Sequence, residues 1–517
     1  MRKILSSLFL FLIICSSHAF AQTADIYQKA GDGYFDDKNY QAAFDSYNHA
    51  IKKSGGDKAI LSVLYYKRGK SLYGLHKTDE AIQDYNSAIA INPSYMVAYW
   101  DRGVVYDHTS RFQLAIDDYK KAISLINDNS QSISLSVLYC NIAYNELSLN
   151  NLDEALKADS TSLALNEFYS RGYKARGQIH TTLKNYALAV DDYTLALENY
   201  RDNDTSQISS LLTMRADNKR YLKKYKDAIN DYSMAIRLFS QNRFAYWNRA
   251  AAYGDNGDYK LASDDYTTAI NYYKGDSTNL SKLYIDRANN EIGQSLLNNA
   301  IMDDSVALTY NTDDAEAYYS RAIAYTQSGD YQLGINDYNK LITLKPNEKK
   351  LLAILYYQVA NNEYFLNEFD KVITDCSKAI ELNPEYSASY YYRAKVYLKQ
   401  MQNKQLAVND FNKVMQLDTT KKSVSYIFSL YYTGKPDEAI VILQNDVLNT
   451  NNDASLLSDY YNLACLYSLM NKPDEANTYL KKAVDNGYSK KYAAADSDLD
   501  NIRNTDDYKS IIAGPSN

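Results

Sequence analysis

The chain runs to 517 residues with a formal charge of −7, and it carries 53 tyrosines against 13 phenylalanines and 2 tryptophans. Mild acidity argues against a nucleic-acid partner, which is held by neutralising phosphates with Lys and Arg. Beyond the N-terminal leader the cysteines are Cys140, Cys376 and Cys465, an odd set without disulfide or zinc spacing, and they read as small buried apolar residues.

Residues 1–21 differ from everything after them. Arg2 and Lys3 precede an apolar run from Ile4 to Cys15, followed by Ala19-Phe20-Ala21. This is the pattern of a secretory leader cleaved before Gln22, and the run is too short to cross a bilayer, which takes about 20 residues. Ile14 stands before Cys15 where a lipoprotein leader has a small residue. Removing Arg2 and Lys3 takes the formal charge to −9. The mature chain is expected in the periplasm or outside the cell, soluble or held peripherally on the outer membrane, with no transmembrane segment.

From Ala24 to about Val484, alanines and tyrosines return in step. Ala115, Tyr119 and Ala122 recur as Ala189, Tyr193 and Ala196, and again as Ala262, Tyr266 and Ala269. The marking residues are 43, 81, 115, 155, 189, 228, 262, 300, 334, 372, 407, 439 and 476, at intervals that mostly alternate near 34 and 38. Such a unit is a helix hairpin that cannot bury its face alone, so stacked neighbours supply the core. The longer intervals place polar turns at 54–58, 127–131, 201–207, 274–279 and 346–350, one for each pair of hairpins of about 73 residues.

Segments 98–125 and 317–346 carry an aromatic at repeat position 4, Gly or Ala at 8, Tyr at 11, Ala or Gly at 20 and Tyr at 24, with Pro346 closing the second. They resemble the tetratricopeptide repeat, and thirteen copies cover residues 22–484. The resemblance implies an all-α fold, a right-handed superhelical solenoid of antiparallel helix hairpins, with 485–517 as a C-terminal capping segment. Position 4 is Tyr in eleven of the thirteen copies, from Tyr27 to Tyr460.

Paired aspartates recur at 117/118, 191/192, 264/265 and 303/304. Glycosidases use two carboxylates, but an active site is needed once and these repeat. Arg at position 7 and Asp at position 23 occur together in eight copies: Arg68/Asp84, Arg102/Asp118, Arg176/Asp192, Arg215/Asp231, Arg249/Asp265, Arg287/Asp303, Arg321/Asp337 and Arg393/Asp410. Four copies lack both, and only Val359/Asp375 is mixed. Joint presence or absence is what structural ion pairs predict, because a buried charge without its partner is costly.

No catalytic elbow, phosphate-binding loop or dinucleotide fingerprint occurs, the histidines are scattered, and neither catalysis nor a cofactor is expected. The resemblance implies instead a concave face lined by positions 2, 5, 9, 12 and 13 of the first helix. Position 5 is aromatic at Tyr66, Trp100, Trp247, Tyr319, Tyr357, Tyr391 and Tyr461, rings that either pack against neighbouring helices or line a groove, suited there to anchoring an extended peptide or, in the alternative, a glycan of the cell wall. The Lys/Asn pattern with which some members grip a terminal carboxylate is broken here, since Gln178 follows Lys174 and Tyr357 precedes Asn361. The expected function is a non-catalytic, extracytoplasmic scaffold for protein or peptide partners.

In the last segment Leu499, Ile502, Tyr508 and Ile511 are expected to cover the open end of the core. Asp496, Asp498, Asp500, Asn504 and Asp507 have EF-hand-like offsets, but Asn501 replaces the turn glycine and Asp507 the closing Glu. A solvated acidic cap is the expectation there, with no metal.

Overall fold

Two helices pack closely only where the side chains between them are small, and positions 8 and 20 meet that need. Ala43, Ala81, Ala115, Ala189, Ala228, Ala262 and their later equivalents are fully buried at position 20. The rings of Tyr47, Tyr85, Tyr119 and Tyr193 at position 24 fill the space opposite. Gly103 at position 8 lies directly under Tyr119, where an added Cβ would stand 2.8 Å from Cε1. Each buried ring contributes about 1.5–3 kcal/mol of apolar stabilisation.

The structure, a computed structural model, describes residues 24–126, 132–449 and 453–513. The leader at 1–21 and the turn at 127–131 lie outside the described residues. The chain divides into two compact units, residues 1–242 and 243–517. Among the described residues there is no strand: the first unit is a stack of six helix hairpins, and the second holds seven. Below, helix A and helix B denote the first and second helix of a hairpin.

Between helices A and B the chain turns at or beside position 15 through the left-handed region in all thirteen hairpins. Gly257, Gly329 and Gly434 serve there in three hairpins, but most of the others use residues such as Lys38, His76, Lys184 and Lys223 at φ of 59–60°. A left-handed Lys carries a steric cost that glycine does not. Lys223→Gly is therefore expected to stabilise the first unit by up to about 1 kcal/mol, read as a higher midpoint in denaturant unfolding. A lower midpoint would show that the Lys side chain has a role at this turn.

Helix A alternates in length. It spans 17 residues in Lys58–Gly74, Ser132–Ser148, Thr205–Tyr221, Ser277–Gly293 and Lys349–Phe365, against 13 or 14 in Met96–His108, Ser170–Thr182, Arg243–Asn256 and Ala315–Ser328. Part of the polar segments 54–58, 201–207, 274–279 and 346–350 read from the sequence as turns is thus helix. In three of them the cause is capping: Asp57, Asp204 and Asp276 accept hydrogen bonds from the first backbone amides and start the helix early.

After the thirteenth hairpin come helix Lys490–Ala495, the 3-10 turn Ser497–Ile502 and helix Asp506–Ala513. Leu499, Ile502 and Tyr508 are buried in one core with Leu463, Leu480 and Ala483 of the last hairpin, and Ile511 packs at its edge.

Candidate binding surfaces

The arginine and aspartate of positions 7 and 23 meet in all eight hairpins, with nitrogen to oxygen distances of 2.6–2.8 Å. The carboxylates lie deeper than a partly buried pair would place them. Asp84, Asp118, Asp192, Asp231, Asp265, Asp303, Asp337 and Asp410 are all buried, at 3–8% exposure. Enclosed between the two helices of a hairpin, each carboxylate belongs to the framework, as expected of a structural ion pair, and lies deeper than the sequence implies. Bidentate pairing compensates the burial, since Arg68, Arg215, Arg249 and Arg393 each donate from Nε to one oxygen and from Nη2 to the other of Asp84, Asp231, Asp265 and Asp410.

Seven of the eight guanidinium groups also lie over the position 4 tyrosine of their own helix, 5.3–5.8 Å from the ring centroid. Six of the arginines have a third partner. Arg68, Arg102, Arg215, Arg287, Arg321 and Arg393 donate to Asn48, Asn86, Thr194, Thr267, Ser305 and Ser377, all at position 25 of the preceding hairpin. The signal for it in the sequence is the short polar residue, Asn, Thr or Ser, recurring at position 25. Each of these arginines thereby ties its own hairpin together and to its predecessor.

Arg321→Ala leaves Asp337 buried without its cation. The expected loss is about 2–4 kcal/mol, between the ~1 kcal/mol of an exposed pair and the 3–5 of a fully buried one. Denaturant unfolding of the whole chain measures it, and a loss below about 1 kcal/mol would assign the pair a surface role only. Where the arginine is absent, at Val359, the unpaired Asp375 faces Glu363. Burial and then the Asp375 charge push Glu363 up to about 8, so the two carboxyls hold a proton in place of a guanidinium.

The seven aromatics of position 5 do not form one open row. Tyr66 and Trp247 are half-buried and donate to the next hairpin, Tyr66 Oη to Asp101 at 2.8 Å and Trp247 Nε1 to Asp286 at 2.7 Å. Trp100 packs against the Tyr119 and Leu138 core, and Tyr319 meets Tyr338 edge-on at 6.2 Å. Tyr357 packs edge-on against Tyr386 and Tyr392. Tyr391 and Tyr461 correct the sequence expectation, being only 6% and 4% exposed. What closes the groove over them is the chain itself.

Residues 488–498 lie across the helix A face of the last four hairpins. Tyr488 stacks on Tyr461 with centroids 3.9 Å apart, and Tyr492 packs on Phe365 at 4.5 Å. Asp496 accepts from Tyr461 Oη at 2.8 Å. Asp498 accepts from Lys395 Nζ at 2.8 Å, from Lys399 Nζ at 2.7 Å and from Tyr432 Oη at 3.3 Å. Ser497 bonds Tyr364 and Lys399. Lys395, Lys399, Tyr364, Tyr432 and Tyr461 occupy positions 9, 13, 12, 13 and 5 of their helices. Burial opposes ionisation of Asp498, yet the two ammonium groups hold its carboxyl below the usual range. Burial and the neighbouring Asp498 charge raise that of Asp496. Two of the supposed solvated acidic residues are thus buried against lysines and a tyrosine, an arrangement that serves anions rather than a cation.

In the first unit the described residues leave a cavity open beside helix Ser170–Thr182. A cavity of about 440 Å³ there is lined by Tyr144, Phe168, Tyr169, Arg171, Lys174 and Tyr200 among others. A larger open cavity of about 1950 Å³ in the second unit has Tyr488 and Tyr492 on one wall and Leu296, Thr326 and Asn361 on the other. The thiols of Cys140, Cys376 and Cys465 are buried and pushed up by that burial, Cys140 to about 12, which removes them as nucleophiles.

Known repeat models match the chain that builds this geometry. A TPR repeat model matches residues 64–107, and a tetratricopeptide repeat model matches 97–129, 315–348 and 460–486. The chain is built of tetratricopeptide repeats. Such repeats bind protein partners, and the described helices of this chain include none long and apolar enough to cross a membrane.

Similar curated proteins share the repeats over part of their length. A DnaJ homolog subfamily C member 7 homolog of Dictyostelium discoideum is 38% identical over 104 residues, 20% of this chain and 19% of that protein. The human DnaJ homolog subfamily C member 7 is 24% identical over 342 residues, 62% of this chain and 67% of that one. The human mitochondrial import receptor subunit TOM70 is 31% identical over 118 residues, 23% of this chain and 19% of that protein. Among solved structures, a tetratricopeptide repeat protein from Parabacteroides merdae matches with TM-score 0.39 and 21% identity, over 51% of this chain and 98% of that one.

Proposed function

We propose that this tetratricopeptide protein is a non-catalytic scaffold outside the cytoplasm that holds extended segments of partner proteins against its helix A faces. One observation carries the reading. The helix A face of the last four hairpins already holds a stretch of polypeptide, residues 488–498, by ring stacking and by carboxylates set on lysines and tyrosine hydroxyls. In the first unit helix A positions 2 and 5, at Arg171 and Lys174, and 9, at Tyr144, bring two cations and a ring to the lining of a cavity. Tetratricopeptide architecture supports a scaffold rather than a reaction centre, since an array of equivalent hairpins offers many similar surfaces and no single constellation. The leader pattern at residues 2–21 supports export.

Affinity purification of the mature protein from its own envelope fraction tests this, with mass measurement of its N-terminus. Stable protein partners and a chain beginning at Gln22 are expected. Retention on purified glycan with no protein partner would replace the reading with carbohydrate binding, and a chain that keeps Met1 would overturn the export.

A further inference from the structure

We infer that the cavity of the first unit around Arg171 and Lys174 is a binding site for an acidic side chain within an extended peptide segment; this rests on the scaffold reading above and deepens it. The two cations lie at positions 2 and 5 of helix Ser170–Thr182, which set both on its groove-facing side. Arg171 lies over the ring of Tyr144, 5.2 Å from its centroid, and Tyr169 and Tyr200 complete an aromatic wall. Among the described residues neither cation has a carboxylate within ion-pairing distance. Lys174 is half-buried, and its pKa is lowered by that burial and by the Arg171 charge beside it. Two like charges are thus held together, the exposed Arg171 beside the half-buried Lys174, without a carboxylate counter-ion among the described residues. Asp202 stands on the rim beside Arg201, and both are exposed. The lining therefore keeps an excess of positive charge.

The second unit displays what such a place accepts. There Lys395 and Lys399, also on a helix A face and flanked by Tyr364, Tyr391 and Tyr432, hold the carboxylate of Asp498 from two sides. Both sites present two cations among tyrosines on helix A; one is filled by the chain's own aspartate, and among the described residues the other is not. A guanidinium and an ammonium converging on one carboxylate give charge-assisted hydrogen bonds, and the tyrosine faces accept the flanking side chains of the segment. An aspartate or glutamate in an extended stretch that also carries an aromatic is the occupant this chemistry selects.

The test uses the whole mature chain and a fluorescent peptide with the sequence of residues 488–500, blocked at both ends so that it has no terminal charge. Saturable binding is expected, at least tenfold weaker for the peptide with its aspartates changed to asparagine and at least tenfold weaker for an Arg171→Ala, Lys174→Ala variant. Lys174→Gln alone gives an intermediate loss, and circular dichroism of each variant verifies that the fold is kept. Equal binding of the asparagine peptide, equal binding by the double variant, or no binding at millimolar peptide each overturns the site. Binding only of a peptide with a free C-terminus also overturns it, in favour of a terminal-carboxylate site. A protein partner from the envelope that the double variant retains sinks this site and leaves the scaffold reading standing, whereas the absence of any protein partner sinks the scaffold reading itself.

Discussion

Asp498→Ala is expected to cost the C-terminal part of the second unit about 3–5 kcal/mol, the range for removing one partner of a buried ion pair. Lys395, only 5% exposed, keeps a buried charge and loses the carboxylate that bonds it, with Asp496 the remaining carboxyl near it. Tyr432 loses an acceptor, and Lys399 can turn to water because it is only half-buried. Hydrogen exchange across residues 460–513 reads the effect locally, which suits a repeat array whose unfolding need not be two-state. Replacing both partners, Lys395→Met with Asp498→Leu, should recover most of the loss, since an apolar pair of similar volume is often neutral against a buried ion pair. A loss under about 1 kcal/mol in the single variant would mean that the segment over the groove is only loosely held. Because the two ammonium groups hold the Asp498 pKa below its unfolded value, its contribution is present above the usual carboxylate range and is lost as pH falls through its folded value.

The opposite pH dependence is expected from Asp159 and Asp304. Both stand at position 24, where most hairpins have an aromatic, both are fully buried, and neither carboxyl makes a well-formed hydrogen bond. Burial pushes Asp159 up to about 7, against the pull of Arg176 and with the push of Asp192. Burial pushes Asp304 up to about 8, against Ser320 and Arg321 and with Asp303 and Asp337. The folded state therefore binds protons that the unfolded chain has released above about pH 4. Stability from these groups is fully present below that value and falls as pH rises through 7 and 8. Asp159→Asn and Asp304→Asn should each stabilise the chain at pH 9 by on the order of 3 kcal/mol and change little at pH 4. Thermal melts of wild type and both variants at the two pH values measure this. Equal shifts at both would place the carboxyls in contact with water.

The repeat itself is legible because small and aromatic residues are forced at fixed positions by hairpin packing, so Ala115 and Tyr119 announce their roles without coordinates. The ion pairs are legible for a related reason, since Arg321 and Asp337 depend on each other and appear together. How deep Asp84, Asp231, Asp265 and Asp410 lie is not legible, because depth is set by the neighbouring hairpin and not by the pair. The turn at position 15 is hidden too, because Lys184 and Lys223 take a left-handed conformation that sequence associates with glycine. Asp304 was obscured by standing next to Asp303 as one of a repeated pair. The filled groove was beyond reach for another reason. Lys395 and Asp498 are joined by tertiary packing across a hundred residues of chain, and no periodicity relates them.

The scaffold account is tested most directly by photo-crosslinking in the native envelope. A benzophenone amino acid replaces Gln178, at position 9 on the helix A face beside Lys174, or Leu188, which is 51% exposed on helix B. The account predicts a discrete protein adduct from position 178, lost in the Arg171→Ala, Lys174→Ala background, and little or none from position 188. Equal adducts from both positions would contradict it, whereas none from either would remove only the Arg171 and Lys174 face as the place of contact.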